Sequence, residues 1–253
     1  MMFNFGLVGN PIKHSMSPTI HLNFAKQFNH QIQYKLYNIK DLKAFLQEFQ
    51  TYGHGLNITT PFKQQILTLV PNTKKLNNAN VLAIKPTVEA FCVDGTGFIN
   101  ACNKLGWSIK DKDILIIGAG NTAHSIITET KAQNNITIAA RSVDKATTKL
   151  QTHLTSITIK DIKNIQQQFD IIIQASSAGL HNTIPFINPY WVKTTSYVMD
   201  LNYSNNASKF IDKMTKLNPK QILDGRFMLI EQAALSYFLW TGDYPNTNEF
   251  YQL

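Results

Sequence analysis

The sequence predicts an α/β protein built from two domains, and three observations support this fold class. Segments patterned like strands and helices alternate over roughly the first 70 residues, which favours a mostly parallel sheet. Two β-rich runs then flank Lys85-Pro86, and the alternation starts again at Asp113 with the apolar strand "DILIIGAG". A chain of 253 residues is long enough for two small domains that each have a core.

Apolar periodicity and end signals assign the segments of the first domain. Strands are expected in "FNFGLVG", "QIQYKLYNI" and "GLNIT", where apolar residues run together or alternate. Helices are expected in "SPTIHLNFAKQF", with Ser17 as N-cap, in "DLKAFLQEFQTY" and in "PFKQQILTLV". For the last helix, Thr60 is the expected N-cap and Pro61 the first helical residue. That start places Lys63 in the first turn, where the positive end of the helix dipole disfavours a cation.

The same signals assign the remaining segments. "NVLAIKPTVEAFCV" indicates a hairpin, and a helix is expected from about Gly95 to Lys104. Further strands are expected in "NITIAARS", "FDIIIQASS" and "TSYVMDLNY", and a helix in "NTAHSIITETKAQ". "GRFMLIEQAALSYFLWTG" predicts a long amphipathic helix near the end of the chain.

Composition and charge favour some classes of function over others. The net charge of +8 fits binding of anionic small molecules, or simply a solvated basic surface. The lysines are spread along the chain and no nucleic-acid-binding motif is present, so we expect no nucleic-acid partner. No membrane span and no signal-peptide pattern is seen, so we expect no membrane association and a cytoplasmic location. Cys92 and Cys102 have neither a disulfide pattern nor metal-ligand spacing, and we expect no metal.

A glycine-rich turn follows the strand that starts at Asp113. Gly118, Gly120 and Ala123 have the G-x-G-x-x-[GA] spacing between a buried strand and a helix. In such a turn the first glycine permits the tight bend and the second lets the backbone approach a pyrophosphate at the helix N-terminus. An ordinary strand-to-helix turn is the alternative, but the context favours a Rossmann-type dinucleotide site.

The end of the next strand predicts which dinucleotide binds. NAD-binding domains usually carry an acidic residue there, whereas this chain has "IAARSVDK". Arg141 suits a 2′-phosphate through bidentate and stacking contacts, which favours NADP over NAD. The alternative is that Arg141 and Lys145 are ordinary surface cations at a helix start.

Seven blocks in order along the chain resemble the shikimate dehydrogenase family: "GNPIKHSMSP", "GLNITTPFK", "DGTGF", "GAGNTA", "ARSVDK", "DLNYS" and "GRFMLIEQAALSYFLWTG". The resemblance runs nearly end to end and implies NADP-dependent interconversion of 3-dehydroshikimate and shikimate, a small-molecule substrate. It implies a substrate-binding domain over 1–100 plus 226–253, to which the C-terminal helix returns. A Rossmann-type NADP-binding domain over 101–225 is expected, and the protein is expected to be a monomer or homodimer.

The resemblance also implies the roles of individual residues. Lys63 and Asp94 match the catalytic pair, and Ser15 and Ser17 match the serines that hold the substrate carboxylate. Besides these four, the positions that match substrate contacts are Asn57, Thr59, Asn80, Tyr203 and Gln232. The positions that match cofactor contacts are Gly118, Ala119, Gly120, Asn121, Thr122, Ala123, Arg141, Ser142, Lys145, Ser176, Gly225 and Met228.

Residue chemistry supports these roles and leaves simpler ones open. The two serine hydroxyls can donate to a carboxylate beside helix N–H groups, although Ser17 also suits a helix cap. Asp94 can orient the Lys63 ammonium for proton transfer, or it can cap the helix that follows it. Gln232 can close a buried pocket or lie on a wet edge of its helix.

Several blocks depart from the family pattern, at "NNANV" (77–81), at "CV" (92–93) and at Ala140. The substitutions remove polar groups but leave the catalytic pair, so a working enzyme with altered affinities is expected. The alternatives are a dehydrogenase of quinate or another cyclic hydroxy acid, or a non-catalytic NADP(H)-binding protein. Serine at both carboxylate positions favours shikimate, because quinate users of the family tend to carry a bulkier residue at one of them.

Overall fold

A computed structural model of the chain describes residues 2–13, 15–150, 157–178, 183–203 and 208–251. The chain folds into two compact units, and the α/β fold class predicted from the sequence is confirmed. The first unit comprises Met1–Gly97 and Leu229–Leu253, and the second comprises Phe98–Met228. No helix in the described ranges is long and apolar enough to span a bilayer.

The first unit has a five-stranded mixed sheet. Its strands are β1 (Met2–Gly9), β2 (Gln31–Asn38), β3 (Gly55–Ile58), β4 (Val81–Ala83) and β5 (Glu89–Phe91), in the order β2-β1-β3-β4-β5. β1 pairs in parallel with β2 and β3, while β4 pairs antiparallel with both β3 and β5. The hairpin predicted around Lys85-Pro86 is therefore confirmed.

In the described part of the chain, four α-helices belong wholly or partly to this unit. They are α1 (Ser17–Gln27), α2 (Leu42–Tyr52), the start of α3 (Asp94–Lys104) and most of α7 (Arg226–Thr241). Successive side chains of a strand point to opposite faces of the sheet, so the side chains of β1 pack in two separate cores. Val8 packs with α2 residues such as Leu42, whereas Phe5 packs with Phe24 of α1 and Tyr237 of α7.

The helix predicted to start at Pro61 does not form there. Residues 60–64 are a turn, in which Phe62 N–H donates to Thr59 O at 2.9 Å across a cis Thr60-Pro61 peptide bond. Only a short 3₁₀ helix, Gln65–Thr68, follows. A Thr-Pro pair serves a tight turn as well as a helix start, and here the turn forms. The expectation that Lys63 lies in a first helical turn, against the helix dipole, is therefore wrong.

The predicted N-cap of α1 is also wrong, by one position. Ser17 is the first helical residue and Met16 is the N-cap, without a side-chain cap. The Ser15 hydroxyl caps the helix start in part, because it accepts a hydrogen bond from Ser17 N–H at 3.2 Å. Ser17 is thereby freed from the simple capping role.

The second unit is built on a six-stranded, wholly parallel sheet. Its strands are β6 (Asp113–Ile117), β7 (Asn135–Ala140), β8 (Ile157–Asp161), β9 (Phe169–Gln174), β10 (Val192–Asp200) and β11 (Gln221–Asp224). The spatial order is β11-β10-β9-β6-β7-β8, the doubly wound order of dinucleotide-binding domains. The order reverses between β6 and β9, and ligands bind such sheets at that point, beyond the carboxyl ends of the strands.

Helices α4 (Asn121–Thr130), α5 (Val143–Leu150) and α6 (Lys209–Thr215) cover this sheet. Sequence patterns predict α4, β6, β7, β9 and β10, whereas the structure adds α5, α6, β8 and β11, for which no element was predicted. Each missed strand has at most five residues and each missed helix at most eight, so apolar periodicity has too few repeats to be read.

The predicted helix near the end of the chain is confirmed as α7, but it is not a surface helix. Every side chain from Phe227 to Tyr237 is buried or half-buried. An apolar helix of this kind belongs inside a fold, which places its few polar residues in the interior. Three of these polar residues, Glu231, Gln232 and Ser236, therefore need partners within the protein.

Candidate active site

The centre of the site is a buried ion pair in the first unit. Lys63, on the turn after β3, places Nζ 2.5 Å from Asp94 Oδ2 at the first residue of α3. The two side chains are only 11% and 1% exposed. Asp94 is the first residue of α3, and its carboxylate is the counter-charge of a lysine taken out of water.

Asn80 holds the other oxygen of that carboxylate. Its Nδ2 donates to Asp94 Oδ1 at 2.7 Å, and its Oδ1 accepts from Val93 N–H at 2.8 Å. Both ends of the Asn80 amide are therefore used, which fixes the side chain beside the ion pair. Residues 77–81 depart from the family's sequence pattern, yet Asn80 lies in contact with the predicted catalytic pair.

Asn57 extends the network along β3. Its Nδ2 donates to Ser236 Oγ of α7 at 2.8 Å, and its Oδ1 accepts from the Tyr34 hydroxyl of β2 at 2.8 Å. The backbone oxygen of Asn80 lies 3.4 Å from Asn57 Nδ2. A chain of contacts therefore runs from Tyr34 through Asn57 and Asn80 to the ion pair.

Gln232 reaches this region because α3 carries a glycine. A Cβ at Gly97 would lie 2.7 Å from Gln232 Cγ and 3.1 Å from its backbone nitrogen. Only glycine allows α7 to cross α3 this closely, one turn after Asp94. Gln232 O also accepts from the Ser236 hydroxyl at 2.8 Å, which ties it to the Asn57 network.

Ser15 and Ser17 follow the carboxyl end of β1, and Thr59 follows that of β3, which pairs with β1 in parallel. Ser15 Oγ donates to Ser17 Oγ at 3.1 Å, and Ser17 is buried. A Cβ at Gly9, the last residue of β1, would lie 2.3 Å from Thr59 Cγ2. Gly9 is therefore the small residue that lets the chain after β3 pack against the end of β1. Eight of the nine predicted substrate contacts belong to the first unit, and Tyr203 belongs to the second.

The second unit carries the glycine turn between β6 and α4. Gly118 has φ +109°, and a Cβ there would lie 2.9 Å from the backbone of Ser176, which follows β9. A Cβ at Gly120 would meet only Ala175 O, at 3.8 Å. Gly118 is thus required by the bend, whereas the space beside Gly120 is open. The turn and Ser176 lie at the point where the strand order reverses.

Helix α4 begins directly after this turn. Gly120 is its N-cap, and no side chain caps it. The remaining predicted residues of the turn are Ala119, between the glycines, and Asn121 and Thr122, which open the helix. Ala123 is fully buried in the core beside Ile116, as close packing of strand and helix requires.

Three predicted cofactor residues follow the end of β7. Arg141, Ser142 and Lys145 are all exposed, and Ala140 before them is buried. The two cations are therefore available to an anionic group, with no acidic residue at the strand end.

The last predicted cofactor residues differ in their surroundings. A Cβ at Gly225 would lie 2.3 Å from Leu201 O, so a glycine is required there. Met228 is 3% exposed and packs in the core of the second unit. Tyr203 is half-buried. The roles of all three stay predictions.

Sequence reasoning missed Tyr34, Gly97 and Ser236. One signal was readable: Ser236 lies four residues after Gln232, on the same face of a helix. Nothing in the alternating pattern of β2 distinguishes Tyr34. Among the described residues, no cluster of three or more His, Cys, Asp or Glu side chains could hold a metal.

Together, a doubly wound sheet with a glycine turn and a second α/β unit with a buried Lys–Asp pair define the class of two-domain, dinucleotide-dependent dehydrogenases. Comparison with known proteins narrows this class. Family models match residues 7–82 (shikimate dehydrogenase substrate binding domain), 100–194 (shikimate / quinate 5-dehydrogenase) and 228–253 (shikimate 5'-dehydrogenase C-terminal domain). The chain belongs to the shikimate dehydrogenase family.

Individual relatives match over nearly the whole chain. It is 33% identical to the shikimate dehydrogenase (NADP(+)) of Legionella pneumophila strain Lens, over 98% of this chain and 97% of the relative. It is 35% identical to that of Ruthia magnifica subsp. Calyptogena magnifica, with the same coverage. A crystal structure of a shikimate dehydrogenase in complex with NADP+ superposes with a TM-score of 0.82 at 27% identity, over 97% of this chain and 92% of the other.

Proposed function

We propose that this protein is an NADP-dependent oxidoreductase that acts on a CH–OH group and catalyses the reversible reduction of 3-dehydroshikimate to shikimate. The observation that carries the proposal is the buried Lys63–Asp94 pair, held by Asn80, in a chain that belongs to the shikimate dehydrogenase family.

The reaction needs a group that handles the proton of the alcohol. Oxidation removes that proton from oxygen, and reduction returns it, so one group must act as base and acid in turn. Lys63 carries a proton that can be exchanged, and the Asp94 carboxylate fixes the position of Lys63 Nζ through a hydrogen bond of 2.5 Å to Oδ2. Low exposure of both side chains keeps water from competing with the substrate hydroxyl. We propose that this pair exchanges the proton with the substrate oxygen.

The second unit has the features that NADP requires. The open space beside Gly120 admits a pyrophosphate, and the uncapped start of α4 offers N–H donors to it. Arg141 and Lys145 supply cations for the 2′-phosphate beyond β7. NADP, when bound, would supply the hydride for reduction of the substrate carbon and accept it in oxidation. Gly225 and Met228 are proposed to lie near the nicotinamide ring, and Ser176 and Ser142 to complete the cofactor contacts.

The first unit has the features that a hydroxylated carboxylic acid requires. We propose that Ser15 and Ser17 donate to the substrate carboxylate beside the start of α1. Asn57, Thr59, Asn80 and Gln232 are proposed to contact the ring hydroxyls, together with Tyr203. On this assignment residues 1–100 plus 226–253 bind the substrate and residues 101–225 bind the cofactor. We further propose that the enzyme is cytoplasmic, a monomer or homodimer, and binds no nucleic acid.

A spectrophotometric assay tests this function. Purified protein is supplied with shikimate or quinate, each with NADP or NAD, and absorbance at the reduced-nicotinamide band is followed. The proposal predicts turnover with shikimate and NADP well above the other three combinations. Faster turnover of quinate would instead identify the quinate dehydrogenase, and tight NADPH binding without any turnover would identify a non-catalytic binding protein.

A further inference from the structure

The side chains that surround Asn57 have no role in the acid–base chemistry, yet they restrain its amide from two sides. Tyr34 comes from β2 and Ser236 from α7, and each makes a 2.8 Å hydrogen bond to Asn57. Ser236 has no solvent exposure and Tyr34 is 8% exposed. Three separate elements of the first unit thus converge on one substrate-contact position.

The direction of these bonds follows from proton counting. A serine hydroxyl has one proton, and that of Ser236 is donated to Gln232 O at 2.8 Å. Ser236 Oγ therefore acts as an acceptor toward Asn57 Nδ2. The other N–H of this amide faces Asn80 O at 3.4 Å. Both N–H groups of Asn57 thus have protein acceptors, and Oδ1 accepts from Tyr34, so protein groups hold the amide on both sides.

Tyr34, which donates to the first lone pair, is itself fixed by packing. Its ring stacks on His21, with ring centroids 4.5 Å apart and an interplanar angle of 15°. Burial lowers the pKa of His21 to about 3, against a smaller opposing effect of the neighbouring Asn57 side chain, so the imidazole is neutral and no cation lies in this stack at neutral pH. The phenol hydroxyl is thereby directed at Asn57 without support from an ionic contact.

We propose that Tyr34 and Ser236 are positioning residues that fix the Asn57 amide for its contact with the substrate. The inference rests on the proposed function, since it takes Asn57 as a substrate contact.

Steady-state kinetics of Tyr34→Phe test the proposal, with Tyr237→Phe as the matched control. The control removes a hydroxyl from the same aromatic cluster, but one that lies 2.7 Å from His30 Nδ1. Tyr34→Phe is expected to raise KM for shikimate about tenfold with kcat nearly unchanged, the cost of one lost hydrogen bond at a half-buried amide. The control is expected to change neither constant.

A double-mutant cycle separates positioning from a general structural effect. In an Asn57→Ala background, Tyr34→Phe and Ser236→Ala are expected to change KM no further, because both act through the amide. The same fold-change in both backgrounds, or a Tyr34→Phe variant that behaves like the control, overturns the inference while leaving the proposed function intact. Wild-type protein without shikimate turnover overturns both.

Discussion

Replacing Asp94 by asparagine removes the negative charge of the buried pair and keeps the shape of the side chain. Asp94 is 1% exposed and Lys63 is 11% exposed, so the lysine ammonium is left in the interior without its counter-charge. Breaking a buried ion pair in this way costs about 3 to 5 kcal/mol of unfolding free energy. The remaining amide accepts one hydrogen bond, so we expect a loss near the lower end of that range.

The matched control is Asp170→Asn. Asp170 pairs with Lys193 at 2.8 Å, but both side chains are 30% exposed, and such pairs contribute about 0 to 1 kcal/mol. Urea unfolding followed by circular dichroism gives both free energies. We expect Asp94→Asn to lose about 2 kcal/mol more than Asp170→Asn. Equal losses would refute the view that the Lys63–Asp94 pair is desolvated and held in place by the fold.

Three further predictions follow from single residues. Burial lowers the pKa of His21 from 6.5 to about 3, so the unfolded chain binds the extra proton and stability falls as pH drops below 6.5. From pH 7 to pH 5 wild type should lose about 2 kcal/mol more than His21→Gln in urea unfolding, and parallel pH profiles would contradict this. Arg141→Ala should weaken NADP binding more than NAD binding by calorimetry, and an unchanged preference would exclude its phosphate contact. Gly118→Ala should lower the free energy of unfolding by more than about 1 kcal/mol. The loss should exceed that of Gly106→Ala, because Gly106 has φ +71° but no atom within 4 Å of a new Cβ. Equal losses for the two glycine variants in urea unfolding would contradict the close approach of Gly118 to Ser176 as a source of the effect.

Local sequence signals predicted the parts of the fold that depend on neighbours along the chain. The apolar run of β6 followed by Gly118 and Gly120 predicted a strand, a bend and a helix start, and the sheet has that turn where the strand order reverses. Thr60-Pro61 was misassigned because the same two residues suit both a helix start and a tight turn. Such a choice is made by tertiary contacts, and here Lys63 O accepts from Ala79 N–H at 2.7 Å.

The supporting contacts of the site could not be read from the sequence. Tyr34 and Ser236 bond to Asn57 across 23 and 179 residues of chain, and no local pattern reports which side chains meet at that separation. The family resemblance named Asn57, Asn80 and Gln232, but it did not indicate that hydrogen bonds connect them. Their mutual geometry comes from the packing of α7 against the sheet and of Gln232 against Gly97.

We propose that Lys63, oriented by Asp94, exchanges a proton with the substrate hydroxyl. The most direct measurement compares kcat and KM for shikimate, with saturating NADP, in wild type, Lys63→Ala and the surface control Lys193→Ala. Lys63→Ala is expected to lower kcat about 10²- to 10⁴-fold with little change in KM, while the control retains both constants. A Lys63→Ala enzyme that keeps the wild-type kcat and loses only affinity for shikimate would contradict the acid–base role.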